Sequence, residues 1–290
     1  MTPKQIKIED IDENILENLE GLCVPEEKLD DPFFMEGNFL WKKWATKNMS
    51  KFGSIGKVVY LDSEIVGMIQ YLPKPEHKIV EIKCTFVEKD KRDMGIRKAL
   101  LKEIIKEFEK PKSYFDDEKA KALVTLPYPS PKPIENADFY KANGFKQLSN
   151  DHKHLLYYPL IEDYTGYESI LEQPNLPIDE LDKDKALILC NSHCPYCVEE
   201  MMETFKQLRK LNADIPVKLV VPFEEPEEFA RAFSMPLCVV INGESIGFSI
   251  LENEEFLKRM RDALNSGSNL VNHKIRSDLQ KDRKEQLRHH

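Results

Sequence analysis

The chain has no apolar run near the roughly 20 residues that a membrane-crossing helix needs, and its first residues (MTPKQIKIEDIDENILENL) lack a basic start and an apolar signal core. These absences lead us to expect a soluble, intracellular, cytoplasmic protein with no membrane partner. Cysteine is scarce: Cys23, Cys84, Cys190, Cys194, Cys197 and Cys238 are spread unevenly over 290 residues, unlike the dense disulfide framework of a small secreted domain, so reduced thiols are expected. Positive charge is also short. A net charge of -9 argues against broad nucleic-acid binding, which relies on Lys and Arg to neutralise phosphates. No internal repeat and no low-complexity tract is present. Hydrophobic residues make up 41% and charged residues 32%, enough for real cores under a heavily charged surface, and the length suggests about two domains.

Charge is unevenly placed. Residues 51–110 carry 13 Lys and Arg against 10 Asp and Glu, whereas residues 162–184 carry Lys183 against eight acidic residues. The acidic stretch also holds Pro174 and Pro177, so 161–184 reads as a linker between a domain at 1–160 and another at 185–266, with a polar tail at 267–290. His289 and His290 resemble remnants of a purification tag.

Residues 1–50 read as helical segments broken by VPEEKLDDPF, with Phe33, Phe34, Phe39, Trp41 and Trp44 in the later part. KVVYLD and EIVGMIQYL, with Asp62 and Ser63 between them, predict an antiparallel hairpin, and Ile79 to Val87 predicts a third strand. Ile96, Leu100, Ile104 and Phe108 then recur at helical spacing behind Gly95. KALVTLPYP predicts a strand, PIENADFYKANGF a short helix stopped by Gly144, and KHLLYYPL a last strand. From Lys185 the pattern restarts as strand ALILC, a helix striped by Val198, Met201, Met202, Phe205, Leu208 and Leu211, strand VKLVV, a short helix at EEPEEFARAF, strands LCVVI and ESIGFSI, and a helix with Phe256, Met260 and Leu264. The fold class is therefore α/β in the broad sense (α+β), in two domains.

Between the third strand and its following helix lies a basic turn holding Lys91, Arg92, Arg97 and Lys98 around Gly95. Unpaired N–H groups at a helix N-terminus, with the helix dipole behind them, suit a diphosphate. Arg92-x-x-Gly95-x-Arg97, after a strand and before a helix with Ala99, Leu100 and Leu101, resembles the acetyl-CoA motif of the GNAT superfamily of N-acetyltransferases. Arg97 departs from it, since the family prefers Gly or Ala there. It either crowds the pyrophosphate or turns its guanidinium onto a phosphate. Farther on, Asn136, Ala137, Asp138, Phe139, Tyr140, Lys141, Ala142, Asn143, Gly144 and Phe145 resemble the family's second signature, a short helix ending in Tyr-x-x-x-Gly-Phe. The order of elements over residues 50–160 is similar too.

The resemblance implies a GNAT mixed-sheet domain that binds acetyl-CoA and acetylates an amine, a small molecule or a protein. It implies cofactor contacts from Phe86, Val87, Arg92, Asp93, Met94, Gly95, Ile96, Arg97, Lys98, Asn136 and Phe139, with the Val87 N–H polarising the thioester carbonyl. It further implies Tyr140 as general acid to the departing thiolate; Glu81 is the candidate base for a protonated amine. The plain alternatives are a phenol capping the core at Tyr140 and a solvated or paired carboxylate at Glu81. The aromatic residues of the early helices are either core or a wall of the acceptor pocket.

His193-Cys194-Pro195-Tyr196-Cys197 follows a strand and opens a helix, which favours the Cys194 thiolate as attacking thiol with Cys197 resolving. CPYC resembles the glutaredoxin form of the thioredoxin-fold motif, and Met235-Pro236 stands where such domains place a cis-proline. A four-ligand zinc site would need Cys190, His193 or Cys238 in addition, and no metal is assigned. The whole is similar to the YoaP-type acetyltransferases: an acetyltransferase domain with a small thioredoxin-like domain serving redox control, acceptor delivery or dimer contact. The competing readings are a thiol-disulfide oxidoreductase carrying a CoA- or partner-binding module, and a binding protein with both sites decayed.

Overall fold

The computed structural model describes residues 6–19, 21–126, 137–148, 155–164, 182, 184–190, 192–224, 238–248, 254 and 256–266. They fall into two compact units, one within Met1–Gln173 with His193–Pro195, the other within Pro174–Ser192 and Tyr196–His290. No helix among the described residues is long and apolar enough to cross a membrane.

The first unit is built on a mixed sheet of β1 (Ile6–Asp10), β2 (Gly56–Leu61), β3 (Glu64–Lys74), β4 (Ile79–Val87), β5 (Ala122–Thr125), β6 (Lys146–Gln147) and β7 (Leu156–Pro159). The strand order is β1-β2-β3-β4-β5-β7-β6. β2 and β3 form the expected hairpin, and Asp62 and Ser63 both take positive φ (52° and 77°), the twist that a tight hairpin turn needs. β4 pairs antiparallel with β3 and parallel with β5.

The N-terminus differs from the expected helix. Ile6–Asp10 is an edge strand, running antiparallel from Ile6↔Leu61 to Asp10↔Lys57. Local preference in so short a segment is weak, and bonding to an open sheet edge outweighs it. Lys57 Nζ lies 2.5 Å from Asp10 Oδ1 and closes the pairing. Helix α1 (Glu13–Glu17) follows at once. Helix α2 (Pro32–Phe52) begins where the Asp31 carboxylate accepts the N–H groups of Phe33 and Phe34, as an N-cap does. The aromatic group on α2 divides: Phe34, Trp41 and Trp44 are buried, while Phe33 and Phe39 are exposed.

Helix α3 (Ile96–Phe108) presents Ile96, Leu100, Leu101, Ile104 and Phe108, all buried, to Val59, Ile69, Tyr71, Val80 and Ile82 of the sheet. Fully burying one such side chain stabilises the fold by about 1.5–3 kcal/mol, so this layer anchors the strand–turn–helix segment. Helix α4 (Ala137–Ala142) adds Tyr140 to the same core. Beyond residue 160, Tyr164 is buried against Ile79, Ala122 and Val124.

The second unit has a smaller sheet of β8 (Ala186–Leu189), β9 (Val217–Val220), β10 (Cys238–Ile241) and β11 (Glu244–Phe248). Its order is β11-β10-β8-β9, with β8 parallel to β9 and the other neighbours antiparallel. Helix α5 (Cys197–Leu211) leads from β8 toward β9. Asn242 and Gly243, at φ 52° and 81°, turn the β10–β11 hairpin. Phe256, Met260 and Leu264 are buried on the helical segment 256–266. Asp182 accepts hydrogen bonds from Lys185 (2.9 Å) and Lys218 (2.8 Å), and these hold its carboxyl below the usual carboxylate range. The expected helix at 224–233, apart from Glu224, lies outside the described residues, as do Met235-Pro236 and the tail.

Candidate active site

The site grows from a mismatch in strand length. β5 pairs with β4 from Ile79↔Ala122 to Ile82↔Thr125 and then ends, while β4 runs on to Val87. From Lys83 onward the β5-facing edge of β4 has no β5 partner. The Glu88 N–H bonds the Val66 carbonyl oxygen on β3 at 2.9 Å, so the alternation of a strand turns the Val87 N–H to the opposite, opened edge. The Val87 carbonyl oxygen accepts from Arg92 Nε at 3.2 Å, tying the basic turn back onto the strand end.

Residues 89–94 form a short 3-10 turn, and Gly95 at φ +72° swings the chain into α3. A side chain at Gly95 would meet open space, so the glycine is there for its left-handed backbone and leaves the approach to the helix clear. Among the described residues no side chain caps the N-terminus of α3. Ile96 contributes its side chain to the core and leaves only its backbone for a ligand, whereas Asp93, Met94 and Lys98 are exposed and Phe86 is half-buried.

Arg97 turns toward helix α4. Its guanidinium folds over the ring of Phe139, 4.0 Å from the centroid and 5.6 Å from that of Tyr140. Nε and Nη2 are buried without a hydrogen-bond partner among the described residues. Buried donors of this kind call for an acceptor. Together with the uncapped helix and its positive dipole end, they fit a ligand with anionic oxygens.

Tyr140 is fully buried, and its hydroxyl lies 2.9 Å from Thr85 Oγ1. Edge-on packing against Phe139 and Phe145 holds the ring there. The structure thus brings Tyr140 to β4 two residues before Val87. Thr85 escaped sequence reasoning. The one available signal was a hydroxyl in an apolar strand, and its partner is 55 positions away.

Glu81 does not join Tyr140. Val80 and Ile82 face the α3 core, while Glu81 projects from the other face of β4. There Oε1 lies 2.7 Å from Lys83 Nζ and Oε2 3.9 Å from Lys74 Nζ. On that face the Gln70 side-chain oxygen also accepts from Trp41 Nε1 at 2.7 Å. Asn136 lies outside the described residues.

In the CPYC segment Cys194 is half-buried, and Cys197, buried, is the first residue of α5; neither is in a disulfide. Burial holds the His193 imidazole well below its usual range. Among the described residues no group of three or more His, Cys, Asp or Glu is arranged to hold a metal ion.

Residues 54–147, the stretch that contains the opened strand, the turn and Tyr140, match the acetyltransferase (GNAT) domain family. This part of the chain is a GNAT acetyltransferase domain. Solved structures similar to the chain include a GNAT-family acetyltransferase from Staphylococcus aureus, 18% identical, covering 54% of this chain and 100% of that one at a TM-score of 0.41. The ribosomal-protein-S18-alanine N-acetyltransferase of Escherichia coli is 14% identical over 56% of this chain and 98% of its own, with a TM-score of 0.37. A GNAT-family acetyltransferase from Brucella melitensis in complex with acetyl-CoA is 13% identical over 55% and 90%, with a TM-score of 0.38. None of the curated proteins matches the chain.

Proposed function

We propose that the protein is an acetyl-CoA-dependent N-acetyltransferase of an amine, and that residues 185–266 are a thioredoxin-like module carrying a CPYC thiol pair. The observation that carries the first part is the Tyr140–Thr85 hydrogen bond at the opening of β4, inside the segment that matches the acetyltransferase family. Acetyl-CoA supplies an activated acetyl group and a pyrophosphate handle. The N-terminal N–H groups of α3 and the Nε and Nη2 of Arg97, unpaired among the described residues, suit the anionic part of it. The Val87 N–H, turned to the opened edge, suits the thioester carbonyl oxygen. Tyr140 donates its hydroxyl proton to the departing thiolate, while Thr85 holds the phenol in place.

Two features support the C-terminal part. Sheet order β11-β10-β8-β9 with one parallel pair matches the thioredoxin-like arrangement that the sequence resembles. Cys194 is the more exposed thiol and Cys197 the buried one at the start of α5, as suits an attacking and a resolving cysteine.

Acetyl-CoA at about 100 times its dissociation constant should stabilise the protein by about 2.7 kcal/mol. In Tyr140→Phe that thermal shift should persist, while turnover falls by about 10²-fold or more, the usual weight of a positioned acid. Unchanged turnover would remove Tyr140 from the chemistry, and no thermal shift in the parent protein would remove the cofactor.

A further inference from the structure

The large sheet ends in two unequal strands, β1 and β6. β6 is two residues long, and shortness of that kind blunts an edge. β1 has five residues, and among the described residues no strand lies on its outer edge. The Ile11 N–H bonds the Gly56 carbonyl oxygen at 2.9 Å, and the pairing with β2 runs regularly from Ile6↔Leu61 to Asp10↔Lys57. By the alternation of an antiparallel ladder, Lys7 and Glu9 direct their backbone groups at β2, while Ile6, Ile8 and Asp10 direct theirs outward.

The side chains carry a second pattern. Ile8 packs against the core under α3, so Lys7 and Glu9, on either side of it, stand on the opposite face of the sheet. They form an ion pair with each other, their side chains 66% and 35% exposed, and Ile6 is exposed at the start of the strand. A second copy that meets this edge about a two-fold axis runs antiparallel to it, with outward-facing residues set against outward-facing residues. An axis at Lys7 would place the two Lys7 side chains opposite each other, and an axis at Glu9 the two Glu9 carboxylates. An axis at Ile8 instead places each Lys7 opposite the Glu9 of the other copy.

We propose that the outer edge of β1 is a homodimer surface, on which a second copy of this chain adds its own β1 antiparallel about a two-fold axis at Ile8. Ile8 exchanges both backbone bonds with Ile8 of the second copy, and Ile6 does the same with Asp10 at each end. Lys7 and Glu9 then occupy non-hydrogen-bonded positions, where side chains come closest, and opposite charges facing each other there are favourable. A second copy fits better than an unrelated strand because the pattern is self-complementary: the rotation that brings Glu9 to Lys7 also brings Lys7 to Glu9. The contact is small, which places the dimer among weak, concentration-dependent ones. It draws on no step of acetyl transfer and stands apart from that reading.

The test is sedimentation velocity on the full chain, with a reductant present so that no disulfide joins two copies, over a dilution series reaching the weak-complex range near about 10⁻⁴ M. A reversible monomer–dimer equilibrium is expected. Lys7→Glu and Glu9→Lys each set like charges opposite one another on both sides of the axis and should weaken the dimer by about tenfold or more. The double variant Lys7→Glu/Glu9→Lys restores opposite charges and should return to the parent's dissociation constant, and added salt should narrow the gap between the parent and the single variants. Damage to the fold does not imitate this, because the double variant carries both substitutions and recovers. A chain that stays monomeric throughout, single variants that dimerise as well as the parent, or a double variant as weak as the singles would overturn the proposal.

Discussion

Lys74 carries an ammonium group almost out of water, and its pKa is pushed down to about 8 by burial, against the attraction of Glu81. A folded-state pKa below the unfolded one means that the unfolded chain binds more protons between about pH 8 and 10.5, so the Lys74 contribution to stability rises with pH across that window. Replacing it by Met leaves Glu81 with Lys83 and removes the desolvation penalty. Lys74→Met is therefore expected to raise stability at pH 7 by about 1–2 kcal/mol, and the gap from the parent protein should narrow by pH 10; thermal melts of both proteins at the two pH values check it. Tyr140 and Thr85 illustrate a different limit at this scale. The aromatic-x-x-x-Gly-Phe pattern pointed to Tyr140, but its hydrogen-bond partner is set by how α4 lies on β4, and no local spacing carries that. Glu81 was legible as a carboxylate on a strand with Lys83 two residues on; its other partner, Lys74 of β3, became apparent only once β3 and β4 were in register.

Among the elements, α3 and the turn before it decide whether a diphosphate can be held. Gly95 takes φ +72° with open space where a side chain would stand, so Gly95→Ala brings no clash and costs backbone strain alone, about 1–2 kcal/mol. The expected outcome is a small drop in melting temperature and weaker acetyl-CoA binding, measured by titration calorimetry, because relief of the strain would turn the first N–H groups of α3 away. A variant that binds as well as the parent would show that the turn keeps its shape without glycine. The buried stripe of α3 followed directly from its period in the sequence. The strand Ile6–Asp10 did not, because its stability comes from β2, and the two-residue β6 pairs only with β7. Short edge strands of this kind are products of the sheet they join.

For the whole molecule, the proposed reading places two chemistries in one chain, at the opened β4 edge and at Cys194 and Cys197 around the start of α5. Cys194→Ser should abolish reduction of a small disulfide substrate and leave acetyl transfer unchanged, assayed on the same preparation; a parallel loss of acetyl transfer would mean that the thiol controls the first reaction. The negative net charge is consistent with this division, since neither site depends on a broad basic surface and the positive charges that matter are a few residues concentrated near β4 and α3. Two α/β domains, the basic turn around Gly95, the short helix bearing Tyr140 and the CPYC helix were determined by the sequence itself, because periodicity, turn residues and compact motifs act over a few residues. The tertiary structure alone decided that Arg97 folds onto Phe139, that Thr85 holds Tyr140, and that Lys74 of β3 meets Glu81 away from the phenol. Each of these depends on which strands end early and which faces meet, and such distances are fixed by packing between segments far apart in the chain.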